Sequence, residues 1–163
     1  MLEQIDVLKK AKETVALLKE RGMTVATAES CTGGLVSAFL TSVSGVSEVF
    51  ELGITSYSCR IKNKILGVDK NTLEKQGAIS EETAYQMAEN VRMMANSDIG
   101  ISVTGVAGPE SSEGHPVGYI FIGISSEKGT EIKLLDVKEN DRNSIRLATA
   151  SMIFEMIINY LGN

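Results

Sequence analysis

The stretch Met23-Thr24-Val25-Ala26-Thr27-Ala28-Glu29-Ser30-Cys31-Thr32-Gly33-Gly34-Leu35-Val36-Ser37-Ala38-Phe39-Leu40 decides the fold class. Its first part, Met23 to Ala28, is short, apolar and rich in β-branched residues, which predicts a strand. Hydroxyl and thiol side chains follow at once, then two glycines, and Leu35, Val36, Ala38, Phe39 and Leu40 read as a buried helix. A strand that passes through a glycine turn into a helix is the repeating unit of α/β folds.

The flanks repeat the pattern. Upstream, Leu2, Ile5, Leu8, Ala11, Val15 and Leu18 recur at spacings of three and four, which predicts an amphipathic helix stopped by Gly22. Downstream, Ser44-Gly45 breaks the second helix, Val49 to Tyr57 is a strand, and Ile61, Lys64, Ile65 and Val68 suit a short helix. Ser80-Glu81-Glu82-Thr83 has the look of an N-cap with an acidic first turn, opening a helix through Ala84, Met87, Ala88, Val91 and Met94. Ile99 to Val103 is a third strand, and Thr104 to Pro116 a glycine- and serine-rich loop. Val117 to Ile124 and Thr130 to Val137 form a hairpin across Glu127-Lys128-Gly129. Asn140-Asp141 caps a last helix carrying Ile145, Ala148, Met152, Ile153, Met156 and Ile157. The expectation is a single domain over 1–163, an α/β chain folded as a three-layer α/β/α sandwich with a mixed, mostly parallel sheet. The methionines, seven in all, are expected to fill the core from apolar helix faces.

Composition narrows the function. At 163 residues, 43% hydrophobic and 23% charged, the chain is long enough to bury its own core and is neither disordered nor fibrous. A net charge of −5 argues against binding nucleic acid. No apolar run reaches the length of a membrane span, and Met1-Leu2-Glu3-Gln4-Ile5-Asp6 lacks a basic-then-apolar leader, so the chain is expected in the cytoplasm and away from membranes. One histidine, His115, and two cysteines, Cys31 and Cys59, exclude a two-histidine metal site and zinc-finger spacing. A hydrolase built from these residues would draw its base from a lysine, a tyrosine or a carboxylate.

Three strand ends carry the candidate chemistry. At Ser30-Cys31-Thr32-Gly33-Gly34 a helix start with free N–H groups can hold phosphate, or an oxyanion beside a nucleophile; an ordinary serine cap and tight turn would look the same. At Tyr57-Ser58-Cys59-Arg60-Ile61-Lys62-Asn63-Lys64 a lysine and a tyrosine could supply the base, with Arg60 and Lys64 as sources of positive charge that lower a lysine's pKa. A solvated helix face is the plain alternative there. Thr104-Gly105-Val106-Ala107-Gly108-Pro109 matches no phosphate or dinucleotide fingerprint, but it ends a strand where ligands of open α/β sheets gather. Cys31 is a second possible nucleophile or a buried structural thiol. Arg142 and Arg146 read as surface charge on one face of the last helix.

Together these clusters resemble the C-terminal domain of the CinA (competence/damage-inducible) proteins, which also occurs alone as nicotinamide-nucleotide amidohydrolase. The resemblance runs over nearly the whole chain. Its most specific parts are Thr27 to Gly34, Tyr57-Ser58 with Lys62 and Leu66-Gly67-Val68, Gly77-Ala78-Ile79-Ser80, Thr104 to Pro109, and Pro116-Val117-Gly118. It implies hydrolysis of nicotinamide mononucleotide to nicotinate mononucleotide and ammonia, with no metal or organic cofactor. The family's serine nucleophile falls on Ser30, its lysine on Lys62 and its tyrosine on Tyr57. Lys62, directly or through the Tyr57 hydroxyl, would take the Ser30 proton. N–H groups near Thr32, Gly33 and Gly34, beside Cys31, would hold the oxyanion, and Thr104 and Gly105 would help hold the nucleotide, with Arg142 a candidate phosphate contact. The chain departs from the family pattern at Cys59, at Glu110-Ser111-Ser112 and at His115. The expected partner is a small-molecule nucleotide, with self-association into a homo-oligomer. The reading from another class is a catalytically silent nucleotide-binding or protein-interaction module, and a second enzyme reading is an amidase of some other small carboxamide with Cys31 as nucleophile.

Overall fold

The structure, a computed structural model, describes residues 3–162. Twelve elements follow in order: α1 (Gln4–Arg21), β1 (Val25–Glu29), α2 (Leu35–Thr41), a 3-10 turn (Val46–Glu48), β2 (Phe50–Thr55), α3 (Cys59–Lys64), α4 (Lys70–Gln76), α5 (Glu81–Ala95), β3 (Ile99–Gly105), β4 (Tyr119–Ser126), β5 (Gly129–Asp136) and α6 (Arg142–Gly162). The sheet order is β2-β1-β3-β4-β5. β2, β1 and β3 are mutually parallel, and β4 runs antiparallel to both β3 and β5. Four of the five strands therefore share one direction, and the expected α/β/α sandwich with a mixed sheet is what forms.

Side-chain alternation sorts the two faces. Val25, Ile99, Ile101, Val103, Ile120, Ile122 and Ile124 join the large core under α1, α2 and α6, with Phe154 and Leu18 at its centre. The opposite face is lined by small residues and carries α5. A Cβ on Gly100 would lie 2.2 Å from the Ala88 carbonyl oxygen, so α5 can approach there only because the position lacks a side chain, and one on Gly123 would lie 2.6 Å from Ser102 Oγ of the neighbouring strand. Ser102 Oγ donates to the Ala84 carbonyl at 2.7 Å, pinning the helix.

Caps fall where the residue types require them. Gly22 ends α1 in the left-handed region at φ 62°. Ser80 accepts from the Thr83 N–H at the start of α5, and Asp141 accepts from the N–H groups of Asn143 and Ser144 at the start of α6.

Some expectations need correction. Leu2 lies outside the described residues. Val7 rather than Ile5 faces the core, since Ile5 is 58% exposed. α4 has one buried apolar residue, Leu73, too few to show a period. Among the described methionines Met87 alone is a fully buried side chain, whereas Met93, Met94 and Met152 are exposed. Among the described residues no helix is long and apolar enough to cross a membrane.

Candidate active site

The shared strand direction brings the ends of β1, β2 and β3 to one side of the sheet. Pairing runs one residue past β1, because the Ser30 N–H donates to the Val103 carbonyl and the Ser56 N–H to the Glu29 carbonyl. Ser30 and Ser56 are thereby held side by side. α3 then starts at a Ser58 cap, and its fourth residue, Lys62, turns back toward the sheet.

Lys62 is completely buried. Its Nζ donates to Ser30 Oγ at 3.0 Å, to the Ser56 carbonyl at 2.6 Å and more weakly to the Tyr57 carbonyl at 3.5 Å. Among the described residues no carboxylate lies within ion-pair distance. Burial holds the Lys62 pKa below its ordinary value of 10.5, against weaker opposing pulls from Cys59, Cys31 and Glu113. Arg60 and Lys64, the expected sources of positive charge, are exposed and play no part in that shift. A buried amine without a counter-ion, in contact with a hydroxyl, can act as a base toward it.

The turn after β1 is organised by a residue that sequence reasoning left without a role. Glu29, fully buried, accepts from the N–H groups of Gly34, Val36 and Ser37 and from the hydroxyls of Thr32 and Ser37, at 2.7–3.1 Å. Its carboxylate therefore occupies the start of α2, where an oxyanion was expected. The Gly33 N–H is also engaged, donating to the Ser30 carbonyl. Gly33 and Gly34 are thus not free oxyanion donors; both adopt positive φ, 61° and 93°, which shapes the turn. No backbone oxygen among the described residues accepts from Cys31 or Thr32, whose N–H groups neighbour the Cys31 sulfur. Arg146, read from sequence as surface charge, donates through Nε and Nη2 to the Thr32 carbonyl and clamps the turn from α6.

Ser30, Cys31, Tyr57, Gly105 and Arg142 line one cleft of about 230 Å³, together with Ile79, Glu110, Ser112 and Glu113. The Tyr57 hydroxyl accepts from Arg142 Nη2 at 2.8 Å, and Arg142 Nη1 donates to the Gly108 carbonyl. Tyr57 is 61% exposed, and its hydroxyl is bound to Arg142 at the rim, with Lys62 touching Ser30 directly. Thr104, expected at the ligand, is buried and donates its hydroxyl to the Ala78 carbonyl, so it braces the segment before α5. Glu113 accepts from the Ile79 N–H on the same wall. Cys31 is buried, and desolvation pushes its thiol up to about 12, so the sulfur is protonated at neutral pH.

Comparison with known proteins places the chain among relatives. Residues 7–161 match the model of the CinA C-terminal domain. A protein of Caldanaerobacter subterraneus named as competence-damage inducible is 48% identical over 148 residues, which are 90% of this chain and 36% of that protein. A namesake in Streptococcus pneumoniae is 43% identical over 147 residues, 90% of this chain and 35% of its own length. The chain thus spans about a third of these relatives. The crystal structure of the competence/damage inducible protein CihA from Agrobacterium tumefaciens has a TM-score of 0.93 at 34% identity, covering 100% of this chain and 99% of that one. The competence damage-inducible protein A of Klebsiella pneumoniae gives 0.93 at 28% identity, over 96% and 98%.

Proposed function

The chain belongs to the CinA C-terminal domain family, and we propose that it hydrolyses the carboxamide of nicotinamide mononucleotide, giving nicotinate mononucleotide and ammonia. The observation that carries this reading is the buried Lys62 amine, 3.0 Å from Ser30 Oγ and, among the described residues, without a carboxylate at ion-pair distance.

Ser30 Oγ attacks the carboxamide carbon while the neutral Lys62 amine takes its proton. The N–H groups of Cys31 and Thr32 remain as donors for the resulting oxyanion, a contribution of about 3–4 kcal/mol per donor. As the C–N bond breaks, Lys62 returns the proton and ammonia departs, leaving an ester on Ser30. Water gives a proton to Lys62 and attacks that ester, and Lys62 passes the proton to Ser30 Oγ as the C–O bond breaks and nicotinate mononucleotide leaves. Glu110 and Glu113 give one wall of the cleft negative charge suited to the pyridinium ring. Arg142, steadied by Tyr57 and the Gly108 carbonyl, is the cation offered to the phosphate. The reading carries with it a cytoplasmic setting and a small nucleotide as partner, with no metal or organic cofactor.

Ammonia release from nicotinamide mononucleotide tests it, with Ser30→Ala beside the unaltered protein. The expected outcome is release by the unaltered chain and a fall of about 10⁴-fold or more in Ser30→Ala with its fold retained. Nucleotide-induced thermal stabilisation without any ammonia would favour a binding module.

A further inference from the structure

We propose that the free edge of β5 pairs antiparallel with β5 of a second copy about a two-fold axis through Ile132, joining two five-stranded sheets into one. The two edges of the sheet differ. β2 is six residues long and carries a bulge, since Val25 faces Phe50 and Ala26 faces Leu52 with Glu51 passed over. Bulges and short edges discourage further pairing. β5 is eight residues long and pairs with β4 in unbroken register from Gly129 to Asp136, so its outer edge presents a regular row of N–H and C=O groups.

Charge along that edge selects the occupant. Glu131 and Lys133 are exposed, and neither makes an ion pair among the described residues. Their neighbours on β4 are Ile124 and Ile122, which offer no charge. With Ile132 opposite Ile132, Glu131 of each copy faces Lys133 of the other, on one face of the joined sheet. Leu134, 48% exposed, then meets Thr130 of the second copy. An edge whose charges are complementary to themselves under a two-fold is what an isologous interface requires. Beside this edge lies a groove of about 810 Å³ walled by Met152 and Met156 of α6, and the two-fold sets the two grooves facing each other.

Sedimentation velocity on the full chain tests the pairing. The unaltered protein is expected to sediment as a concentration-dependent dimer. Lys133→Glu and Glu131→Lys, each of which sets like charges opposite each other twice, are expected to weaken the dimer about tenfold or more. The double reversal E131K/K133E is expected to restore it. Both sites are exposed, and circular dichroism checks that the fold is kept. A monomeric unaltered chain, a dimer insensitive to the single reversals, or a double reversal that fails to restore association would each overturn the proposal.

Discussion

Glu29 and Lys62 are both fully buried, one next to Ser30 in the chain and the other hydrogen-bonded to its hydroxyl, yet the fold treats them in opposite ways. The carboxylate is saturated: five donors surround it, three of them backbone N–H groups at the start of α2. The amine is given two carbonyls and one hydroxyl, and among the described residues no carboxylate within ion-pair distance. A buried charge with every lone pair met stabilises a turn, whereas a buried amine without a counter-ion is pushed toward its neutral form. One side chain builds the turn that holds Ser30, and the other is left in a state suited to act on it.

The largest effect that would break this contrast is on rate. Lys62→Met is expected to lower ammonia release about 10³- to 10⁴-fold, while thermal unfolding shifts by no more than about 1 kcal/mol, since an apolar side chain of similar size replaces a desolvated amine. Glu29→Ala should do the reverse, costing about 3–5 kcal/mol in chemical denaturation because it leaves several buried donors unmet. If Lys62→Met unfolds the protein and Glu29→Ala leaves it stable, the assignment of roles is inverted.

Titration sharpens the same contrast. The Lys62 pKa lies below 10.5 in the folded chain, and a rate that needs the neutral amine rises with pH, about tenfold per unit on its acid limb. That limb should level off below 10.5 and vanish in Lys62→Met. Because the folded state binds fewer protons at this site than the unfolded chain, the same group also makes the fold more stable as pH rises toward 10.5. The smallest expected effect concerns sulfur. Cys31→Ala should keep activity within about threefold, since a thiol pushed up to about 12 is not a nucleophile near neutrality. A loss comparable to that of Ser30→Ala would move the chemistry to the thiol.

The sequence made the strand–turn–helix at Met23 to Leu40 readable, along with the Gly22 stop and the Ser80 cap, because each rests on local chemistry. The amide-turn role of Glu29 was hidden. A glutamate ending a strand shows only that its side chain points to one face, and nothing local says that a helix start will come round to meet it. Arg146 was hidden for the same reason: its acceptor, the Thr32 carbonyl, is 114 positions away. The cluster Tyr57 to Lys64 showed that lysines lay near a strand end, and the family resemblance named Lys62. Its burial beside Ser30 depends on the packing of α3 against the sheet. Donors at Gly33 and Gly34 were expected to be free because glycine turns expose N–H groups, but a carboxylate already within the fold claims one and the Ser30 carbonyl the other.

The bare stripe beneath α5 has a consequence for how this chain can drift. A Cβ on Gly100 would stand 2.2 Å from the Ala88 carbonyl oxygen, and one on Gly123 would push aside the ends of the Ser102 and Ile132 side chains at 2.6 Å, so the mutational neighbourhood is nearly empty at the first position and narrow at the second. Ile99, Ile101 and Ile122, on the other face of the same strands, can trade among aliphatic shapes with modest loss. Divergence among descendants should therefore be lopsided, with one layer of the sandwich free to change its vocabulary and the other held to the smallest letters.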